Sequence, residues 1–417
     1  MKVLIVSHYF WPESFRINDM AAELVAQGCQ VTVLTGQPNY PDGDIFPGYR
    51  AMSIRRERHP AGFDVVRVPS HPRRRGNASN LARNYLASIV NLAVLGPWLL
   101  RRERHDVVFV YATSPVLHAL SARVIATIQR AKLVTWVQDL WPESLEVTGF
   151  VRSPRVLGAV RRLVSWIYRR NDLLLAQSEA FARTIRGMAG DTPVRYYPNP
   201  GEAAFSAPPD RSAPPALTLK PGFNVVFAGN LGTVQSLDTV IEAAEQLRDR
   251  PELRFVLVGS GSRLDWLKEQ VAARGLENVE LPGRFPVTAM PALFEQASAL
   301  MVSLVPSPIM DQTIPSKVQA YLAAGRPVIA SLDGEGARVI EEAGAGIACR
   351  AGDAAALARA VRELADMPAE RRQALGDAAR RCYDNHFEPT MLSRRLIGLF
   401  EELTRAAPAP AAARLKD

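Results

Sequence analysis

Residues 198–232 read PNPGEAAFSAPPDRSAPPALTLKPGFNVVFAGNLG, and the composition changes abruptly within this stretch. Its first part is rich in proline, which lacks a backbone N–H donor, and in small and polar residues, so we interpret residues 199–222 as an interdomain linker. The apolar run Val225–Ala228 that follows predicts a buried strand. A second domain is therefore expected to begin at residue 223.

Short apolar runs rich in β-branched residues alternate with helical stretches on both sides of this linker. Between the first two runs, Ile17, Met20, Ala21, Leu24 and Val25 recur at the spacing of one helix face, and Gly28 stands where a C-terminal cap belongs. We predict strands near Val3–Val6, Val31–Thr35, Val65–Val68, Val107–Tyr111, Leu133–Val137, Leu173–Ala176, Val194–Tyr197, Val225–Ala228, Phe255–Val258, Val279–Leu281, Leu300–Leu304, Val328–Ala330 and Gly346–Cys349.

This alternation predicts an α/β fold with two Rossmann-like, doubly wound parallel-sheet domains that face each other across a cleft. The N-terminal domain is expected over residues 1–198 and the C-terminal domain over 223–385. Residues 386–405 are expected to form a helix that returns to the first domain, and residues 406–417 a disordered Ala/Pro-rich tail. Ligands of such folds bind beyond the carboxyl ends of the strands.

Composition narrows the classes of partner. The chain has 417 residues with 47% hydrophobic and 22% charged side chains, which is typical of folded globular proteins. A net charge of +8 favours anionic partners, whereas three cysteines without CxxC spacing indicate neither a disulfide framework nor a zinc site. The first residues, MKVLIVSHYFWPE, end in an aromatic, proline and glutamate cluster, so we interpret them as a strand and not as a signal peptide.

Three loops of the second domain have the composition needed to approach an anion closely. Two follow predicted strands and are rich in glycine, and the third, Thr313–Lys317, places a proline, a hydroxyl and a lysine at the start of a helix. Glycines also serve plain turns, so the indication comes from the coincidence of the three loops. The residues predicted to contact the ligand are Gly229, Asn230, Gly232, Gly259, Gly261, Ser316 and Lys317.

The segment IPSKVQAYLAAGRPVIA at 314–330 resembles the donor-site signature of the retaining GT-B glycosyltransferases of family 4. The segments LPGRF at 281–285 and GEGARVIE at 334–341 add to this resemblance. In the first domain, HYFWPESFR at 8–16 and WVQDLWPE at 136–143 are similar to a subgroup of bacterial surface-polysaccharide enzymes that includes N-acetyl-L-fucosaminyl and colanic-acid transferases.

The resemblance implies a hexosyltransferase that retains the anomeric configuration. It implies transfer of N-acetyl-L-fucosamine or a related N-acetylhexosamine from a UDP-sugar to a lipid-linked oligosaccharide or a lipopolysaccharide O-antigen. The acceptor would be linked to polyprenyl diphosphate, and the enzyme would lie in the cytoplasm on the inner face of the bacterial inner membrane. Two alternatives stay open: a GT-B UDP-N-acetylhexosamine 2-epimerase, and a non-catalytic scaffolding homologue.

The chain departs from the family pattern in the donor domain. The family carries a Glu-x7-Glu pair, but Gln312 and Ala320 occupy the aligned positions, so Glu335, followed by Gly336, is our candidate to accept hydrogen bonds from ribose. A helix N-terminal glutamate without ligand contact would explain Glu335 equally well. Asn230 and Gln235 replace the basic residues that the family has after its first strand. Arg284, Lys317 and backbone amides are therefore expected to hold the pyrophosphate, with Lys317 stabilising the leaving group.

Several residues of the first domain are candidates for chemistry or for acceptor contact. Asp139 could activate an acceptor hydroxyl and Arg16 could bind a phosphate, although a turn cap and a structural ion pair are the alternatives. Contacts with the acceptor or the sugar are predicted for Glu13, Asn18, Gln138 and Glu143. Gln138 stands where related enzymes often have a histidine.

No metal or other cofactor is predicted. Asp42-Gly43-Asp44 satisfies the DxD pattern of metal-dependent transferases, but it lies within PNYPDGDIFPG, where turn chemistry explains it. The six histidines are scattered without ligand spacing. None of them is assigned to catalysis.

Apolar and basic residues interleave in the first domain. The run Tyr85–Leu100 is shorter than the roughly 20 residues of a spanning helix and contains Gly96-Pro97, while arginines flank it at 73–75 and at 101, 102 and 104. A second arginine-bracketed stretch covers 161–170. These features favour a peripheral enzyme at an anionic membrane surface, with a core helix as the alternative. Nucleic acid is not expected as a partner, because no recognisable binding module accompanies the arginines.

Overall fold

A computed structural model of the chain describes residues 1–74, 78–147, 151, 153–205 and 215–405. Most of the predicted linker core, 206–214, and the predicted tail, 406–417, lie outside the described residues. The chain forms two compact units. The first contains Met1–Gln177, Phe181–Tyr197 and the chain from Leu392 onward, and the second contains Ser178–Ala180 and Pro198–Met391.

The first unit is built on a sheet with the strand order β3-β4-β2-β1-β5-β6-β7-β8, in which only the β3–β4 pair is antiparallel. Its strands are β1 (Lys2–Ser7), β2 (Gln30–Thr35), β3 (Arg55–Arg58), β4 (Asp64–Arg67), β5 (Val107–Ala112), β6 (Lys132–Val137), β7 (Leu173–Ala176) and β8 (Val194–Tyr196). The apolar runs thus predicted every strand of this sheet except β3. That strand reads RRER and lies at the sheet edge, where charged side chains suit an exposed strand.

The helices of the first unit are α1 (Arg16–Ala26), α2 (Ala78–Leu99), α3 (His118–Gln129), α4 (Glu143–Val147), α5 (Pro154–Tyr168) and α6 (Glu179–Ala189). Helix α1 buries Ile17, Met20, Ala21 and Leu24 of the predicted apolar face, and Gly28, two residues after the helix, has a positive φ. Side chains of α2, α3, α5 and α6 pack into one apolar cluster with Val108 and Val110 of β5. These four helices therefore cover one face of the sheet.

The second unit contains a parallel sheet with the order β11-β10-β9-β12-β13-β14. Its elements are β9 (Phe223–Asn230), α7 (Leu237–Glu245), β10 (Leu253–Ser260), α8 (Leu264–Arg274), β11 (Val279–Gly283), α9 (Met290–Gln296), β12 (Ala299–Ser303), α10 (Ser316–Ala323), β13 (Val328–Ser331), α11 (Gly334–Ala343), β14 (Gly346–Cys349), α12 (Ala354–Asp366) and α13 (Ala369–His386). This is the doubly wound order, and the direction of winding reverses between β9 and β12. A ligand is expected at the carboxyl ends of these strands.

The last described helix, α14 (Pro389–Arg405), leaves the second unit and packs in the first. The ring of Phe400 lies 5.4 Å from that of Phe109 on β5, and the Tyr197 hydroxyl donates to the carbonyl of Leu392 at 2.9 Å. Phe109 alternates along β5 with Val108 and Val110, so α14 covers the sheet face opposite to α2, α3, α5 and α6.

Candidate functional site

The ends of β9 and β10 approach each other closely in the second unit. Gly229 and Gly259 are register partners, and a Cβ atom on Gly259 would lie 1.8 Å from the Gly229 carbonyl oxygen. A Cβ atom on Gly229 would lie 2.7 Å from Cε of Lys317. Only glycine allows this approach, so the two glycine loops and the lysine predicted from the sequence converge at one point.

A pocket of about 590 Å³ opens at this point, beyond the ends of β9, β10 and β11 and at the N-terminus of α10. It combines polar and apolar lining residues. The predicted residues that line it are Gly229, Asn230, Gly259, Arg284, Ser316 and Lys317. The apolar lining includes Phe205, Phe285, Val287, Met290, Phe294 and Tyr321. Such a combination suits a ligand with an anionic group and a flat ring.

Lys317 is a partly buried cation with a neutral partner. Its Nζ donates to Oε1 of Gln235 at 2.9 Å and lies 4.8 Å from the centre of the Phe227 ring. Burial lowers the pKa of the ammonium to about 8. Glu202 also lines the pocket, but within the described part of the chain no carboxylate pairs with Lys317.

A second cation lines the same pocket. Arg284 follows β11, is exposed, and has no acidic partner among the residues that the structure describes. Arg263 is different, because its guanidinium binds both oxygens of Asp238 at 2.9 Å and stacks 3.6 Å from the Trp266 ring. Arg284 and Lys317 are thus available to an anion, whereas Arg263 is engaged within the protein.

Four predicted donor-site residues do not line the pocket. Added Cβ atoms on Gly232 and Gly261 would lie 2.6 and 2.7 Å from the side-chain amide of Asn230, so both glycines make room for that side chain. The buried carboxylate of Glu335 accepts from Arg338 Nη2 at 2.7 Å. Gly336 packs against Leu332 and Pro315, directly before α10. A ribose contact by Glu335 stays a prediction.

The apolar lining was not predicted from the sequence. Phe205 lies in the predicted linker, yet it is buried and stacks on Phe294 with ring centres 5.7 Å apart. A lone aromatic among prolines was the available signal. Tyr321 lies one helical turn after Lys317, and its hydroxyl accepts from the backbone N–H of Ala228 at 2.9 Å. Ala320, at the second position of the missing glutamate pair, lines the pocket with a methyl group.

In the first unit, Glu13 is buried, and its carboxylate accepts hydrogen bonds from backbone groups of the same chain. One oxygen accepts from the backbone N–H groups of Asn39 and Tyr40 at 2.7 Å, and the other accepts from that of Phe10 at 3.0 Å. Burial raises the pKa of this carboxyl to about 7, although the three hydrogen bonds act in the opposite direction. Glu13 therefore joins the loop after β1 to the turn after β2.

The other first-unit candidates occupy the same loop and the end of β6. The Asn18 amide donates to the Glu13 carbonyl at 2.6 Å, and Arg16 is the first residue of α1. Gln138 is buried, and its side-chain amide nitrogen has no hydrogen-bond partner among the described residues. Asp139 accepts from the backbone N–H of Ser114 at 2.8 Å, and Glu143 pairs with Arg161. Contacts of these residues with a substrate stay predictions.

Two remaining sequence features have structural explanations. Gly43 of the DxD pattern is buried and donates to the Asn39 carbonyl at 2.8 Å, while Asp42 and Asp44 on either side of it are exposed. The buried rings of His8 and His118 both contact the Ser88 hydroxyl, at 3.1 and 3.2 Å, and burial lowers the pKa of His118 to about 4.

The described residues contain no group of three or more His, Cys, Asp or Glu side chains that could hold a metal ion. None of the described helices is long and apolar enough to cross a bilayer.

Solved structures of similar architecture define the class. Sucrose-phosphate synthase from Thermosynechococcus elongatus has a TM-score of 0.69 at 16% identity, over 97% of this chain and all of that one. Anabaena HepE, solved in complex with UDP, has a TM-score of 0.67 at 14% identity, over 96% of this chain and all of that one. The two doubly wound sheets and these neighbours define a GT-B fold.

Sequence comparison gives the family. Residues 215–382 match the glycosyl transferases group 1 family, and residues 14–200 match the glycosyl transferase 4-like domain. The chain is 27% identical to the putative colanic acid biosynthesis glycosyl transferase WcaI of Escherichia coli, over 78% of this chain and 82% of WcaI. It is 24% identical to the probable glycosyltransferase WbjE of Pseudomonas aeruginosa, over 70% of this chain and 74% of WbjE. The chain is a group 1 glycosyltransferase, and therefore a transferase.

Proposed function

We propose that this glycosyltransferase uses a UDP-sugar and that the pocket of the second unit binds the UDP. The observation that carries the proposal is Lys317, a partly buried ammonium that lines the pocket and lacks a carboxylate partner among the described residues. A diphosphate supplies the missing negative charge. Arg284 and the N-terminus of α10 add positive potential at the same pocket. The aromatic lining offers surfaces on which the uracil ring can stack.

Catalysis in this proposal rests on stabilising the departing diphosphate. The bond between the anomeric carbon and the diphosphate oxygen breaks as the acceptor hydroxyl attacks, and negative charge accumulates on the leaving UDP. The hydroxyl proton passes to a base, for which Asp139 is our candidate. Lys317 lies where that charge develops, and removal of one such preorganised donor costs about 10² to 10³ in rate. We assign the leaving group to Lys317, Arg284 and backbone amides without a metal cofactor, so the rate is expected to be unchanged by EDTA.

Glu335 is the proposed ribose ligand. Its carboxylate is buried in the first turn of α11, and Gly336 beside it packs against Pro315, the residue before α10. The first turns of α10 and α11 are therefore neighbours. Arg338 holds one carboxylate oxygen, which orients the group. A carboxylate can accept from both hydroxyls of a vicinal diol.

The proposed acceptor is a lipid-linked oligosaccharide of a bacterial surface polysaccharide. Support comes from the relatives WcaI and WbjE, the first of which is named for colanic acid biosynthesis. We propose that the sugar is N-acetyl-L-fucosamine or a related N-acetylhexosamine and that transfer proceeds with retention. In this proposal, residues of the first unit act on the acceptor. Asp139 and Arg16 take part in catalysis, and the acceptor or the sugar is contacted by Glu13, Asn18, Gln138 and Glu143. The enzyme would act in the cytoplasm, as a peripheral protein at the inner membrane.

Isothermal titration calorimetry with UDP tests the donor site. We expect Lys317→Ala to weaken UDP binding about 10- to 100-fold, because a charge-assisted hydrogen bond contributes about 1.5–3 kcal/mol. The matched control is Lys268→Ala, which removes an exposed lysine of α8 in the same unit and is expected to leave the affinity unchanged. GDP should bind more weakly than UDP. Equal UDP affinity in both variants would contradict the assignment of Lys317, and absence of nucleotide binding would contradict the UDP proposal.

A further inference from the structure

Three neighbouring helices cover one face of the first sheet and turn their outer sides to solvent. The Ser121 hydroxyl of α3 donates to the Ile89 carbonyl of α2 at 2.7 Å, and Arg123 of α3 donates to the carbonyl of Arg170, just after α5, at 3.3 Å. Their inner sides share one apolar cluster. We call the outer sides of α2, α3 and α5 the basic-apolar face.

The three helices contain arginines but no acidic residue. They are 22, 12 and 15 residues long, and none of them includes an aspartate or a glutamate. The nearest acidic groups after α2 are engaged, because Glu103 pairs with Arg56 at 2.7 Å and Asp106 accepts from the Lys2 backbone N–H at 2.7 Å. Exposed arginines of the face include Arg83, Arg123, Arg155, Arg162 and Arg170, whereas Arg161, which is also exposed, pairs with Glu143 of α4.

Apolar side chains are exposed along the same face in a regular row. On α2, Leu86, Val90, Val94 and Trp98 recur every four residues and are 63, 49, 66 and 56% exposed. Residues four apart lie on one side of a helix, so these four form a continuous stripe. The neighbouring helices add exposed Val124 and Ile128 on α3, and Val156, Leu163 and Trp166 on α5. An exposed apolar area of this extent marks an interaction surface.

Arginines and tryptophans are paired at the ends of the face. The guanidinium of Arg101 lies 4.8 Å from the Trp98 ring, and that of Arg170 lies 3.9 Å from the Trp166 ring. Tryptophan prefers the boundary between lipid headgroups and acyl chains, and arginine beside it can bind headgroup phosphates. Helices of this composition lie in the plane of an anionic bilayer.

We propose that the basic-apolar face docks on a bilayer that contains anionic phospholipids, with the α2 stripe inserted among the acyl chains and the arginines on the headgroup phosphates. Charge complementarity selects this occupant, because two copies of a face without acidic residues would repel each other. The inference rests on the proposed function in one respect: the bilayer would bring the enzyme to its lipid-linked acceptor. Salt screens the attraction between arginines and lipid phosphates, so docking is expected to weaken as the salt concentration rises.

Flotation with vesicles tests the proposal on the full chain. We expect binding to vesicles of phosphatidylglycerol and phosphatidylcholine at low salt, weak binding to phosphatidylcholine alone, and release at about 0.5 M salt, where surface charges are screened. The double variant Leu86→Glu and Val94→Glu is expected to lower the bound fraction at least about tenfold. The matched control is Met52→Glu, since Met52 is 79% exposed in the same unit but outside the three helices. This control should bind like the unaltered protein.

Three outcomes would overturn the proposal. They are absence of binding to anionic vesicles, unchanged binding of the double variant, and a lipid-free dimer that the double variant dissociates, since the face would then join copies of the chain. Circular dichroism and UDP calorimetry without vesicles verify that each variant is folded. Because UDP binding is measured without lipid, failure of the donor-site proposal is distinguishable from failure of the docking proposal.

Discussion

Lys317, which lines the pocket of the second unit, donates to Gln235 with 2.9 Å between the ammonium nitrogen and the amide oxygen. Gln235 is buried and neutral, so it orients the ammonium without compensating its charge. A carboxylate in its place would form an ion pair and compete with a ligand phosphate. The neutral partner thus keeps the lysine available to an anion, and the titration of this lysine becomes measurable through nucleotide binding.

The first prediction concerns the pH dependence of UDP binding. The pKa of Lys317 is lowered to about 8, so the free protein loses this charge as the pH rises through that value. Bound diphosphate favours the charged form, and UDP affinity is therefore expected to fall between pH 7 and pH 9 in calorimetric titrations. Lys317→Arg keeps its charge over this range and should give a flat profile. A flat profile for the unaltered protein would contradict the lysine contact.

The second prediction concerns the neutral partner. Gln235→Glu places a carboxylate beside Lys317, which raises the pKa of the lysine and competes with the diphosphate. We expect UDP affinity at pH 7 to fall about tenfold and the alkaline loss of affinity to move to higher pH. Gln235→Leu removes the hydrogen bond without adding charge and separates the two effects. Tighter UDP binding by Gln235→Glu would exclude Gln235 as the residue that keeps Lys317 available.

The third prediction concerns the close approach of β9 and β10. Gly259→Ala would place a Cβ atom 1.8 Å from the Gly229 carbonyl oxygen, so the strand ends must separate. We expect a loss of about 3 kcal/mol in the free energy of unfolding by urea, together with loss of UDP binding. The control is Gly283→Ala, where φ is also positive but nothing lies within 4 Å of the added atom. Its cost should be limited to backbone strain of about 1–2 kcal/mol, and equal costs would argue against steric conflict at Gly259.

The fourth prediction concerns Glu13. Glu13→Ala removes the acceptor of three backbone N–H groups, so unfolding of the first unit is expected to require about 3 kcal/mol less free energy in urea. UDP affinity should stay within about twofold, since the donor pocket belongs to the second unit. Glu146→Ala removes an exposed glutamate of α4 and should leave stability unchanged. An unaltered unfolding curve for Glu13→Ala would show that the loop does not depend on this carboxylate.

The fifth prediction concerns ribose recognition. Glu335→Gln is expected to weaken UDP binding about tenfold, because the amide has one acceptor oxygen where the carboxylate has two. A nucleotide without the 2′-hydroxyl should bind weakly to the unaltered protein and lose little more in the variant. If Glu335 only holds Arg338, both nucleotides will be affected equally, and calorimetry with the two ligands distinguishes the roles.

Strand positions were predictable because each buried parallel strand requires a continuous apolar run, as in Val107–Ala112. Strand β3 was not predictable, because its residues Arg55–Arg58 are charged and its strand conformation depends on pairing with β4. The loops around Gly229 and Gly259 were predictable for a similar local reason, since glycine next to a strand end permits close backbone approach. The contribution of Phe205 to the pocket lining was not predictable, because its stacking partner Phe294 lies far along the chain.

Periodicity and composition within a few residues are enough to predict the two doubly wound units, the glycine loops and the lysine at the start of α10. Three features depend on packing between distant segments: Lys317 is partly buried, its partner Gln235 lies 82 positions earlier, and Leu86, Val90, Val94 and Trp98 form an exposed stripe. Burial and pairing depend on which segments meet in space. A single sequence records the residue types, whereas the packed structure sets their charge state and exposure.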